Sequence, residues 1–227
     1  MAGMKDALVD QRKRLLAAVL RDVADTSRYL GRDSLDPATC AAFLAVPRHE
    51  FVPPEIRDLA YENRPLPIGE DQTISQPFIV AIMTDLLGLT PDARVLEVGT
   101  GCGYQAALLA EIADRVVTLE RVGSLADASR ARLKRLGYEN VAVLHADGGK
   151  GWAAEAPYDT IIVTAAAKKV PEALLQQLRP GGRMIVPVGR RGWTQSLILF
   201  EKDAKGTVTE GCHLPVAFVP LLDNIRA

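Results

Sequence analysis

Apolar residues recur at helical spacing over residues 6–25, where Leu8, Leu15, Leu16, Val19, Leu20 and Val23 stand between charged positions. The pattern predicts an amphipathic helix with its apolar stripe on a core. Asp36-Pro37 marks a second helix start, an acceptor side chain followed by proline, and Pro47 ends it. From Arg48 to Gln76 neither period persists, and Pro53, Pro54, Pro65 and Pro67 predict a largely irregular segment laid over another surface. Beyond Pro77 helical stretches over 77–87, 104–113, 124–136 and 171–178 alternate with β-branched runs over 94–98, 115–119, 141–145, 160–163 and 183–187. Such alternation predicts a doubly wound, mostly parallel α/β sheet. After Val188, residues 196–200 and 207–212 read as a C-terminal antiparallel hairpin around Lys205-Gly206. The expected organisation is one domain: an N-terminal helical and irregular cap (1–76), an α/β core (77–189) and a C-terminal β region (190–227).

Charge narrows the function classes. The 227 residues carry 27 basic against 28 acidic side chains, a net charge of -1, and the balance holds in each third of the chain. No bulk basic field exists for nucleic acid or an anionic membrane, and 5% aromatic residues offer few stacking platforms. No apolar run approaches the ~20 residues of a spanning helix, and the N-terminus lacks a signal-peptide core. Cys40, Cys102 and Cys212 are odd in number and widely spaced, which suits neither a disulfide framework nor a zinc motif, and His49, His145 and His213 share no ligand spacing. The expectation is a cytoplasmic protein without a metal, more readily a monomer than an oligomer.

The sharpest local feature is a strand, Val95 to Val98, running into Gly99-Thr100-Gly101-Cys102-Gly103 and then a helix. Glycines at alternate positions admit a ligand close to the backbone. The dinucleotide fingerprint needs G-x-G-x-x-G, and Tyr104 stands where its last glycine belongs. Glu97 just before the turn suits a cationic amino-acid ligand such as S-adenosylmethionine, whose ammonium it would attract directly or through water. Glu120 ends the second strand, where a carboxylate can accept both ribose hydroxyls. Asp147 ends the third, where it could accept from an adenine amine, with Gly148 leaving room for the ring. Singly these acids are also ordinary solvated strand ends and caps; together they sit where open α/β folds bind ligands.

Longer stretches carry a resemblance. These are Val46-Pro47-Arg48-His49-Glu50-Phe51-Val52, Pro65-Leu66-Pro67-Ile68-Gly69, Gln72-Thr73-Ile74-Ser75-Gln76-Pro77, the glycine loop through Gln105, Asp147-Gly148, Tyr158 to Ala166, Pro180-Gly181-Gly182-Arg183 and Phe218-Val219-Pro220-Leu221. Together they resemble the protein-L-isoaspartate O-methyltransferases. The glycine loop marks only the methyltransferase superfamily, whereas Thr-Ile-Ser-Gln-Pro is far more specific. The resemblance implies a Rossmann-like methyltransferase sheet, S-adenosylmethionine as cofactor, isoaspartyl proteins and peptides as substrates, and methyl transfer to their free α-carboxylate.

Carried over by position, Ser75 is the active-site hydroxyl that orients the substrate carboxylate. Gln72, Thr73, Ile74, Phe78, Glu97, Gly99, Thr100, Gly101, Gly103, Glu120, Asp147, Gly148 and Gln195 serve the cofactor, and Val219 and Pro220 face the substrate. Read from residues alone, Ser75 also suits a helix N-cap before Gln76-Pro77, Phe78 a core aromatic and Gln195 a solvated strand residue. Asp71, Ala146 and Ala167-Lys168-Lys169 depart from the family pattern and bear on loop geometry and affinity. A small-molecule or RNA methyltransferase on the same fold, or an inactive cofactor-binding module, stays open because fold does not fix function.

Overall fold

The computed structural model describes residues 2–190 and 193–221, without the side chains of residues 2–6. Helix α1 (Ala2–Asp25) buries Leu15, Leu16, Val19 and Val23, so the 3.6-residue stripe is the face on the core. After α2 (Ser27–Leu30), Asp36 caps α3 (Pro37–Ala45) by accepting from Ala38 N at 2.9 Å. The segment expected to be irregular holds two 3-10 turns, Arg48–Glu50 and Pro54–Leu59, and a small hairpin of β1 (Leu66–Gly69) and β2 (Gln72–Ile74). Its turn residues Glu70 and Asp71 both have positive φ, which is why neither periodicity nor propensity announced it. Asp71 is exposed at this turn and lines none of the cavities described below.

The core follows as α4 (Pro77–Leu86), β3 (Arg94–Val98), α5 (Tyr104–Ala110), β4 (Arg115–Glu120), α6 (Gly123–Arg135), β5 (Val141–His145), β6 (Tyr158–Val163), α7 (Glu172–Gln177) and β7 (Leu178–Val188). Strands β8 (Gln195–Lys202) and β9 (Val208–Val216) complete one sheet ordered β5-β4-β3-β6-β7-β8-β9. The first five are parallel, and β8 and β9 are antiparallel additions, as the pattern after Val188 implied. Strand β7 begins five residues before the expected 183, because Leu178 already pairs with Tyr158. Near-continuous burial of Val95 to Val98 and Ile161 to Val163 reflects a sheet covered by helices on both faces. The strand order reverses between β3 and β6, and their carboxyl ends are therefore the ligand-binding edge of such a fold.

Candidate active site

At that edge lies a cleft of about 940 Å³, counting space open to solvent. Its floor is the glycine turn. Gly99 has φ +102, and a Cβ there would stand 2.4 Å from Thr164 Oγ1, which itself donates to the Gly99 carbonyl at 2.6 Å. Gly101 and Gly103 also have positive φ, so the turn needs glycine for its path. Gly148 lines the same cleft, with only 2.3 Å between its hypothetical Cβ and Val98 Cγ1. Thr164 directly follows β6 and was not singled out from the sequence, although the strand-order reversal points to it.

Glu120 lines the cleft from the end of β4. Its Oε1 accepts from Arg121 N at 2.8 Å and Val122 N at 2.9 Å, and its Oε2 from Gly101 N at 2.8 Å. The carboxylate is tied to the glycine turn and the start of the loop after β4, and its remaining acceptor capacity lies mainly on Oε2. Asp147 accepts from Gly149 N at 3.0 Å, capping the short turn that follows β5, and does not line the cleft.

Glu97 sits beneath the glycine turn, away from the cleft surface. It is fully buried within β3, contributes nothing to the cleft wall, and neither carboxyl oxygen has a hydrogen-bond partner among the described residues. Burial pushes its pKa up to about 8, with Glu120 adding to the rise and the nearby Thr118 hydroxyl opposing it. That hydroxyl is itself 2.6 Å from Thr100 Oγ1. Cys102 does line the cleft, but burial raises its thiol pKa and keeps it protonated and unreactive.

Hairpin β1–β2 covers the cleft with Gln72, Thr73, Ile74 and Ser75. Two side-chain bonds hold it, Gln72 Nε2 to the Glu70 carbonyl at 3.0 Å and Ser124 Oγ to Glu70 Oε1 at 2.9 Å. A second, wider cavity of about 1380 Å³ lies on the other side of this strand, bounded by α1 at Asp22 and Asp25 and by residues 214–219. Thr73, Ser75, Thr164, Phe218 and Val219 line both spaces, so the two adjoin at these residues. Gln76, not Ser75, is the N-cap of α4, and no side-chain cap bond forms there; the capping role for Ser75 is thereby removed. Phe78 lines the second cavity and not the first. Pro220 and Val219 line the first cleft, strapped to the loop after β6 by Ala166 N to the Val219 carbonyl and Leu221 N to the Ala166 carbonyl, both 2.8 Å. Gln195 reaches neither cavity: buried at the start of β8, it bonds both polar groups of the Phe218 backbone. Among the described residues no cluster of side chains could hold a metal ion.

The reversed sheet edge, the glycine turn and the paired cavities define a Rossmann-like methyltransferase. Residues 30–226 match the family model "Protein-L-isoaspartate(D-aspartate) O-methyltransferase (PCMT)". The chain is 53% identical over 210 residues to protein-L-isoaspartate O-methyltransferase 2 of Syntrophobacter fumaroxidans, covering 92% of this chain and 85% of that one. It is 55% identical over 185 residues to the Methanopyrus kandleri protein-L-isoaspartate O-methyltransferase, covering 80% and 81%. Its fold is similar to that of a solved protein-L-isoaspartate O-methyltransferase, with TM-score 0.74 and 30% identity, covering 91% of this chain and 67% of that one. A Plasmodium falciparum β-aspartate methyltransferase in complex with S-adenosyl-L-homocysteine gives TM-score 0.71 at 25% identity, covering 90% and 98%. The chain belongs to the protein-L-isoaspartate(D-aspartate) O-methyltransferase family.

Proposed function

We infer that the protein transfers a methyl group from S-adenosylmethionine to the free α-carboxylate of L-isoaspartyl residues in damaged proteins and peptides. The observation that carries this reading is the meeting of two cavities at Ser75, since the reaction must bring a small cofactor and a polypeptide together at one point. The glycine turn, Glu120 Oε2 and the 72–74 strand are suited to the nucleotide side. When bound, S-adenosylmethionine supplies an electrophilic methyl group next to a sulfonium.

The substrate carboxylate, with an ordinary pKa of about 3.9, is ionised at neutral pH and needs no general base. The work left to this chain is alignment and exclusion of water. Ser75 Oγ, at the junction, is the group to donate to one carboxylate oxygen and leave the other directed at the methyl carbon. Val219 and Pro220 close the apolar side of that junction. The neutral ester formed is a better electrophile than the carboxylate, because its carbonyl carbon can expel methoxide. The following backbone amide nitrogen displaces methanol from it to give a succinimide, and water reopens the ring partly as normal aspartate.

We further propose that residues 1–227 act as a single methyltransferase domain, in the cytoplasm and as a monomer. No described helix is long and apolar enough to cross a membrane. Fragmentation mass spectrometry of a reacted isoaspartyl peptide tests the reading: the methyl group is expected on the isoaspartyl residue, and methylation on any other side chain contradicts it.

A further inference from the structure

Arg48 is the largest fully buried side chain of the described molecule, and it lies outside both cavities. A buried guanidinium is costly unless its donors are used. Its Nε donates to the Ala60 carbonyl at 2.9 Å and its Nη2 to the Ser75 carbonyl at 2.8 Å, while the guanidinium carbon sits 4.8 Å from the centroid of the Tyr104 ring. Nη1, on a guanidinium that lies against the Tyr104 side, makes no further hydrogen bond among the described residues.

The Ser75 carbonyl is unusual in what it lacks. Helix α4 begins its ladder one residue later, with Val80 N bonded to the Gln76 carbonyl, and β2 has ended at Ile74. The donor it receives is Arg48. Pro77 brings no N–H that could take over. That bond fixes the plane of the peptide following Ser75 and with it the ψ of the residue that carries the hydroxyl. Tyr104, the face on which the guanidinium is stacked, opens α5 directly after the glycine turn and lines the cofactor cleft. One planar, always charged group therefore ties the hydroxyl-bearing strand to the helix that follows the cofactor turn.

We propose that Arg48 is a positioning residue for methyl transfer, fixing the orientation of Ser75 against the glycine turn through the Ser75 carbonyl and the Tyr104 ring. This rests on the functional reading above. Lysine keeps the charge but has neither the fork to reach two carbonyls nor the plane to stack.

The test is a cycle of wild type, Arg48→Lys, Ser75→Ala and the double variant, assayed as full-length protein with S-adenosylmethionine and an isoaspartyl peptide. Arg48→Lys is expected to lower kcat about 30-fold, the scale of a small misplacement at a reacting centre, with the cofactor Kd within about threefold of wild type. In the Ser75→Ala background the same change should cost less than about threefold, because the group being positioned is gone. Losses that multiply in the double variant, or a wild-type kcat in Arg48→Lys, overturn the proposal while leaving the activity itself intact. An inactive wild type sinks the functional reading instead. If Arg48→Lys does not fold, Arg48→Gln carries the cycle, and failure of both to fold assigns Arg48 a purely structural role against the proposal.

Discussion

Gln195 and Phe218 are joined by two hydrogen bonds in which a side-chain amide imitates a strand partner: Nε2 donates to the Phe218 carbonyl at 3.1 Å, and Phe218 N donates to Oε1 at 2.6 Å. The clamp holds the 217–221 strap, whose residues line both cavities, against the first residue of β8. Gln195→Leu leaves both backbone groups without partners. Two lost bonds at about 1 kcal/mol each should raise the peptide KM on the order of 10- to 30-fold. Cofactor Kd by calorimetry should shift less than the peptide KM, and an unchanged peptide KM would remove the clamp from the account.

Ser75 stands where the cavities join, and its side chain caps no helix. Removal of one oriented donor at a reacting centre costs about 100-fold in kcat. Ser75→Ala should show that loss with cofactor Kd within about threefold. Steady-state kinetics on an isoaspartyl peptide measures it.

Glu97 predicts a pH dependence of stability. Its folded pKa is raised to about 8 against an ordinary value of 4.5, so the folded state binds the extra proton between those values. Stability on this account is fully present below pH 4.5 and falls as pH rises toward and past 8, by an amount on the order of 5 kcal/mol if no structure relaxes. Glu97→Gln should flatten the decline, giving a higher Tm than wild type at pH 9. Parallel melting curves from pH 5 to 9 for both proteins would contradict a neutral buried carboxyl.

The glycine turn gives a graded comparison. Gly99→Ala combines φ +102 with a Cβ 2.4 Å from Thr164 Oγ1, whereas a Cβ at Gly101 meets only Ile68 Cδ1 at 3.4 Å. Strain alone is worth roughly 1–3 kcal/mol at each. Chemical denaturation should rank Gly99→Ala as the more destabilised, since only it must also displace a hydroxyl bonded to the turn. Equal losses would mean that the Thr164 contact relaxes freely.

Much of this fold was legible because it is written locally. The strand, glycine turn and helix around residues 94–110 are contiguous, and Glu120 announces itself by ending an apolar strand. The C-terminal hairpin was marked by Lys205-Gly206 and appears with Gly206 at φ +87. What stayed hidden depends on contacts between distant segments. Arg48 and Ser75 are 27 residues apart and Gln195 and Phe218 are 23 apart, and no period or propensity encodes such a bond. Glu97 and Phe78 were named for the cofactor on sequence position alone. Glu97 is buried and lines neither cavity, and Phe78 lines only the second, placements that packing decides and position in the sequence does not. Near-neutral charge speaks against a strong bulk field for any one partner and fits an enzyme that must accept unrelated damaged proteins.

The most direct test of the account is kcat/KM for one peptide prepared in its L-isoaspartyl and normal L-aspartyl forms, with S-adenosylmethionine saturating. The account predicts methylation of the isoaspartyl form and little of its counterpart, because only the former presents its α-carboxylate at the junction beside Ser75. Equal turnover of the two peptides would contradict it.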